Sequence, residues 1–182
     1  AKVLGEVACQ AYHKDCDIDT GMVRIFNCYG PRENLDPESS HVIPSLCRKV
    51  IEEPDGGSIE LFGDGTQERG FIYVTDLVDG MIRTIESKVD GEPINLGNGE
   101  EVVTINELAE TIIDISGKDI SIEHDLSMPT GTDKYAADTE KMEAALDWTP
   151  DTALSAGVKK VYEWAAEELN AEDEAFAEVT AE

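Results

Sequence analysis

A chain of 182 residues, 41% of them hydrophobic, has apolar side chains enough for one packed domain, or one domain and part of a second, which excludes disorder of the whole. Its 40 acidic against 14 basic residues give a net charge of −26, and the acids are spread through every segment rather than gathered in a tail. Such a surface repels phosphate backbones and anionic lipid, which disfavours a nucleic-acid or membrane role, and its self-repulsion is best tolerated in strong salt, so a salt-adapted source is expected.

No run approaches the roughly 18 consecutive apolar residues of a membrane helix, and no signal-peptide pattern opens the chain, so a soluble cytoplasmic protein is expected. Cys9, Cys16, Cys28 and Cys47 follow no zinc-knuckle spacing, and His13, His41 and His124 do not complete a site. Four reduced thiols and no metal are the expectation.

Residues 2 to 15 carry Val3, Leu4, Val7, Ala8, Ala11 and Tyr12 at helical spacing, and the helix begins without an N-cap residue. A chain that opens with Ala inside a helix is expected to have its true beginning upstream. Asp17 to Gly21 read as a turn. Met22 to Asn27 then form an apolar, β-branched run that ends in Asn27 and empties into Gly30-Pro31, the pattern of a buried strand leading into a loop. In open α/β sheets ligands bind at such strand ends, so Asn27 and the residues after it are where chemistry is expected.

From Arg32 to Ser40 the residues have loop chemistry, and Val42-Ile43-Pro44 opens a helix bearing Leu46, Val50 and Ile51. Ser58 to Phe62 alternate as a strand, Gly63-Asp64-Gly65 turns, and Phe71 to Val74 return, which predicts a hairpin-like unit with Arg69 at its mouth. Thr75 or Asp76 is expected to cap the next helix, with Leu77, Val78, Met81, Ile82 and Ile85 on one side. A short strand over Pro93 to Leu96 and a Gly97-Asn98-Gly99 turn follow. Thr104 to Glu107 form a capping box for a helix burying Leu108, Ile112 and Ile113, with Gly117 as its stop. Ile120 to Ile122 read as a strand, residues 128–137 as a loop, and Asp138 as the cap of a helix ending near Trp148 and Pro150. The last helix is expected from Leu154 to about Leu169 with Val158, Val161, Tyr162 and Ala165 inward, followed by a frayed acidic tail.

Four stretches carry a family signature in order: Lys2-Val3-Leu4-Gly5-Glu6, then Arg24-Ile25-Phe26-Asn27-Cys28-Tyr29-Gly30-Pro31-Arg32, then Gly63 to Leu77, then Leu146-Asp147-Trp148-Thr149-Pro150. Together they resemble the extended short-chain dehydrogenase/reductase family, the NAD-dependent sugar-nucleotide epimerases, dehydratases and decarboxylases. The resemblance implies an α/β fold: residues 1–33 as the C-terminal end of a Rossmann-type NAD domain, residues 34–169 mainly as the small α/β sugar-nucleotide-binding lobe, and residues 170–182 as the acidic tail.

It also implies the site. Lys2 matches the Lys of a Tyr-x-x-x-Lys pair, which lowers the Tyr pKa and holds the nicotinamide ribose. The Tyr would fall three residues before Ala1, and no Gly-rich dinucleotide fingerprint occurs in the sequence, so these residues alone are expected to be inactive. Phe26, Cys28 and Arg32 match positions beside NAD, with Cys28 read as a packed thiol. Asn27, Val42 and Arg69 match substrate contacts, Arg69 as a bidentate pyrophosphate grip. Two departures stand out: Gly70 follows Arg69 where many relatives carry Asp or Ser, and a second phosphate-binding Arg common near Tyr135 is absent, leaving Lys134 as a point charge or the grip weaker. The implied substrate is a UDP-, dTDP- or GDP-sugar. The resemblance further implies a homodimer through the first helix, with Val7 and Ala11 in the interface. Two alternatives stay open: a UDP-hexuronate decarboxylase, its carboxylate held by Arg32 and Lys134, or a non-catalytic nucleotide-sugar-binding remnant.

Overall fold

The computed structural model describes residues 1–87, 89 and 91–180, with side chains described through residue 171. In chain order the elements are α1 (Lys2–Cys16), β1 (Met22–Ile25), β2 (Cys28–Tyr29), α2 (Val42–Glu52), β3 (Ser58–Phe62), β4 (Glu68–Gly70), β5 (Ile72–Tyr73), α3 (Val74–Glu86), β6 (Pro93–Leu96), β7 (Val102–Thr104), α4 (Ile105–Ser116), β8 (Ser121–Asp125), β9 (Lys134–Tyr135), α5 (Glu140–Leu146) and α6 (Leu154–Thr180). They divide into two compact units that interleave along the chain, where a contiguous boundary after residue 33 was expected. Ala1–Cys28, Arg69–Val102 and Tyr135–Thr152 make the first; Tyr29–Glu68, Val103–Lys134 and the chain from Ala153 make the second. The interleaving has a plain cause in the first unit: β6 pairs with β1, and α3 and α5 pack on β6.

In the first unit β1 and β6 run parallel, in register from Met22↔Pro93 to Ile25↔Leu96. Parallel strands need a long crossover, and the chain between them supplies it. The core is Ile72, Leu77, Ile94, Leu96, Met142 and Leu146, with half-buried Val23, Cys28, Ala145 and Trp148 packed against it. Strand β1 is less buried than its composition suggests, since Arg24 and Ile25 are exposed.

Helix α3 departs from expectation in two ways. It begins at Val74 with Tyr73 as N-cap, so neither Thr75 nor Asp76 caps it. Asp76 is instead buried in the first turn, accepting from Thr152 N at 3.0 Å and Thr152 Oγ1 at 2.9 Å, which satisfies the carboxylate and ties residue 152 to the helix. The buried face is Asp76, Leu77, Gly80 and Thr84, while Val78, Met81, Ile82 and Ile85 stay exposed. Gly80 selects that face: a Cβ there would lie 3.0 Å from the Trp148 ring, so the indole packs against the bare backbone. Helix α5 takes Thr139 as its N-cap residue in place of Asp138, and neither α1 nor α5 has a side-chain cap bond.

In the second unit β3 and β8 run parallel, from Ser58↔Ser121 to Phe62↔Asp125. This replaces the expected hairpin with residues 71–74: β3 alternates, burying Ile59 and Leu61, but alternation does not specify which strand pairs. Helices α2, α4 and α6 pack on one another. They bury Ile43, Leu46, Cys47 and Val50, then Leu108, Ala109 and Ile112, then Leu154, Val158, Val161, Ala165 and Leu169. The Thr104–Glu107 capping box forms as expected, and Gly117 ends α4 at φ 69°. Helix α6 continues to Thr180, past the expected end near Leu169, and the side chains of the acidic tail after residue 171 lie outside the described residues. Lys118 closes the other end of α2, donating from Nζ to the carbonyls of Val50, Ile51 and Glu53 at 2.8, 2.7 and 2.7 Å. These are carbonyls at a helix C-terminus, where a cation also complements the dipole. None of the four cysteines forms a disulfide among the described residues, and burial pushes the Cys47 thiol up to about 12.

Candidate functional site

The end of β1 is the most constrained point in the first unit. Phe26 N donates to Leu96 O at 2.9 Å, carrying the β1–β6 ladder one residue on. Asn27 then turns the chain at φ 38°, in the left-handed region that Asn tolerates better than most residues. Its carbonyl accepts from Ile72 N at 3.1 Å, and its Nδ2 donates to Gly70 O at 2.9 Å and, at 3.4 Å, to Tyr135 O. Asn27 is therefore bonded to the backbone on both sides of Phe71, one residue from the half-buried Arg69.

The expected donation from the Asn27 amide to phosphate meets an amide already occupied, leaving Oδ1 as the group to offer a ligand. Phe26 stacks on Tyr135, centroids 5.3 Å apart and planes at 28°. Gly70 has a local reason: a Cβ there would fall 2.3 Å from Asn98 O, so the Asp or Ser of many relatives does not fit this backbone. Cys28 packs against the core as a half-buried thiol.

Lys2 lies exposed on α1 and makes no ion pair among the described residues. Its tie to the strand runs through Glu6, four residues along, where Arg24 grips the carboxylate bidentately at 2.7 and 2.8 Å. Hydrogen bonding to Arg24 holds Glu6 below the usual carboxylate range.

In the second unit the loop from Arg32 to His41 is knitted by its own side chains. Asn34 Nδ2 donates to Ser39 Oγ at 2.8 Å and Asn34 Oδ1 accepts from Asp36 N at 3.0 Å. The Glu38 N–H and the Ser39 hydroxyl hold Asp36 below the ordinary aspartate value. Arg32 is exposed at φ 69°, Glu33 Oε1 is hydrogen-bonded to His41 Nδ1, and Val42 follows as the half-buried first residue of α2. Lys134 is ion-paired with Glu68 at 2.8 Å, both side chains exposed, so the cation expected to serve phosphate already has an acidic neighbour.

The fold thus gathers Phe26, Asn27 and Cys28 with Arg69 in one unit, and Arg32 with Val42, through the Glu33–His41 pair, in the other. Lys2 is linked to the first group only along α1 and β1. Two residues of interest escaped the sequence reading. His41 was weighed only as a metal ligand, although an exposed imidazole bonded to a carboxylate is an acid-base pair. Tyr135 was noted for an absent Arg, and its stack on Phe26 joins residues 109 positions apart, for which a single sequence holds no signal. No group of three or more metal-ligating side chains occurs among the described residues, and no described helix is long and apolar enough to cross a membrane.

Residues 1–97 match the model of the NAD dependent epimerase/dehydratase family. GDP-L-fucose synthase 1 from Arabidopsis thaliana is 36% identical over 166 residues, covering 90% of this chain and 51% of its own. GDP-mannose 3,5-epimerase from the same plant is 30% identical, covering 94% of this chain and 44% of its own. Among solved structures, UDP-N-acetylglucosamine 4-epimerase from Methanobrevibacter ruminantium M1, in complex with UDP-N-acetylmuramic acid, superposes with a TM-score of 0.80 at 27% identity, over 92% of this chain and 52% of that one. A variant of UDP-glucuronic acid 4-epimerase from Bacillus cereus, in complex with a fluorinated UDP-sugar and NAD, gives 0.76 at 31% identity, over 92% and 51%. The chain spans about half the length of the curated relatives it matches. With its parallel α/β pairs, its strand-end asparagine and a family match over more than half its residues, the chain belongs to the NAD dependent epimerase/dehydratase family.

Proposed function

We propose that this chain forms part of an NAD-dependent epimerase or dehydratase that acts on a nucleotide sugar, with a GDP-sugar as the substrate class. The observation that carries the reading is the tie between Asn27 and Gly70, which holds an amide next to the strand bearing Arg69, the guanidinium suited to pyrophosphate. The names of the curated relatives favour GDP over UDP or dTDP.

The residues fit the nicotinamide end of the cofactor. Lys2 offers an exposed ammonium without an ion pair among the described residues, the donor a ribose diol takes, and Phe26 offers an aromatic wall beside Asn27. When bound, NAD would supply the hydride acceptor for a sugar hydroxyl. Lys2 would hold the ribose and, by its charge, favour the deprotonated form of a neighbouring phenol. Arg69 and Asn27 would hold the nucleotide sugar; Val42 and Lys134 keep the substrate role the family resemblance implies for them, with Lys134 paired to Glu68.

Three further readings belong with this one. The uncovered α1 residues Val3, Leu4 and Val7, which are 72, 73 and 55% exposed, support a homodimer through that helix. The net charge of −26 supports a salt-adapted source. The acidic partner of Lys134 weighs against a decarboxylase that must hold a hexuronate carboxylate.

The test is turnover, with NAD and a panel of GDP- and UDP-sugars in molar salt, by a protein of the relatives' length that contains this chain. An isomerised product of unchanged mass, or loss of water, supports the reading. Release of carbon dioxide from a UDP-hexuronate replaces it with the decarboxylase. Nucleotide-sugar binding without turnover leaves a binding remnant.

A further inference from the structure

None of the residues of α1 is fully buried, and a short series of side-chain bonds ties the helix to the chain that enters β1. His13 Nδ1 is hydrogen-bonded to Ile18 O at 3.3 Å, and Thr20 Oγ1 donates to Cys9 O at 3.4 Å. Arg24 then grips the Glu6 carboxylate, donating from Nε at 2.8 Å and from Nη2 at 2.7 Å. The partners run in opposite senses, 13 with 18, 9 with 20 and 6 with 24, so α1 lies antiparallel to the segment from Ile18 into β1. The same descent carries Lys2, one turn before Glu6 and on the same face of the helix, toward the end of β1 at Asn27.

Of these three ties the last is bidentate, and it lies nearest Lys2 along the helix. Two parallel N–H···O contacts fix direction as well as distance, which a single bond does not. The turn between Lys2 and Glu6 has little else to stiffen it. Gly5 stands in that turn with no heavy atom within 4 Å of where a Cβ would be, and a glycine inside a helix loosens it relative to alanine. The Arg24 and Glu6 side chains are 52 and 26% exposed, and a pair so open to solvent adds little to overall stability. Its effect is on geometry: it sets where the first turn of α1 stands against the strand.

We propose that Glu6 and Arg24 are positioning residues, whose pair sets the register of α1 on β1 and thereby holds the Lys2 ammonium where the nicotinamide ribose binds. The proposal rests on the cofactor reading above and deepens it, since that reading puts Lys2 at the ribose and this one names what aims it. Neither Glu6 nor Arg24 meets the cofactor; each acts through Lys2. Substituting either one therefore costs no more cofactor affinity than Lys2 contributes, and costs nothing once the Lys2 ammonium is gone.

The experiment is calorimetric titration with NAD of a protein of the relatives' length that contains this chain. The forms compared are wild type, Lys2→Met, Glu6→Ala, Arg24→Gln and the double variant Lys2→Met/Glu6→Ala, each with its denaturant unfolding midpoint. Losing a charged hydrogen-bond donor should weaken NAD binding about tenfold or more in Lys2→Met. Glu6→Ala and Arg24→Gln are each expected to weaken it about three- to tenfold with the midpoint unchanged, and Glu6→Ala to add less than about twofold on top of Lys2→Met. An equal loss from Glu6→Ala in both backgrounds overturns the proposal, because the pair would then act on the fold and not through Lys2. So does a Glu6→Ala or Arg24→Gln variant that binds NAD like wild type, or a midpoint that falls along with the affinity. A Lys2→Met variant that binds NAD as tightly as wild type overturns the proposal and takes Lys2 out of the cofactor site. A wild type that binds no NAD overturns the cofactor reading with it.

Discussion

Helices α1 and α2 both carry apolar residues at helical spacing, and the structure treats them in opposite ways. Helix α2 buries Ile43, Pro44, Leu46, Cys47 and Val50 against α4 and α6. Helix α1 buries nothing: Val3, Leu4, Val7 and Tyr12 all remain more than half exposed. Periodicity thus reports that a stripe exists, while burial depends on what else the chain folds against it. With none of its residues fully buried, α1 is tied down by polar contacts, chiefly the Arg24–Glu6 pair and the bond from Thr20 Oγ1 to Cys9 O at 3.4 Å.

The contrast can be broken hardest in the helix layer of the second unit. Leu108 of α4 is fully buried, so Leu108→Ala should cost about 2–5 kcal/mol, read as a lower midpoint in denaturant unfolding. Next comes Lys118→Met, which keeps the stem's packing but strips three carbonyls at the C-terminal end of α2 of their donor. A loss of about 1–3 kcal/mol is expected, with amide exchange accelerating first in the last turn of α2.

Helix α1 should answer to charge instead. Arg24→Gln is expected to leave the unfolding midpoint in place while amide exchange speeds up along α1, and exchanging the two charges in Glu6→Arg/Arg24→Glu should restore protection. The same tie gives a pH dependence with a definite sign. Glu6 is held below its ordinary value by Arg24, so its contribution is complete above the unfolded glutamate pKa and is lost as pH falls through the lower folded value. Exchange in α1 should therefore rise in mild acid before the rest of the chain loosens. The smallest effect is expected from Leu4→Ala, within about 0.5 kcal/mol of wild type, because the side chain is already 73% exposed. A large loss there would show that α1 is covered in solution, and a dimer that dissociates in the same variant would name the cover.

The sequence determined what depends on neighbours a few residues apart. The Thr104–Glu107 capping box, the Gly117 stop and the two parallel-strand segments at Met22 and Pro93 were legible because caps, turns and alternation are local chemistry. The order of the motifs was legible too, and with it the family. Tertiary structure alone decided the pairings and the faces. Strand β3 took β8 and not the expected return strand, since the hydrogen-bonding edge of an alternating strand names no partner. Helix α3 turned its glycine and a buried aspartate inward and left Val78, Ile82 and Ile85 out, because Trp148 and Thr152, far along the chain, met it on that side. At the candidate site, Asn27 and Arg69 were readable as residues, but the bond that brings them within one residue of each other, the Glu33–His41 pair and the Tyr135 ring on Phe26 were not. Each joins side chains whose separation in sequence carries no period, and only the folded backbone puts them in reach.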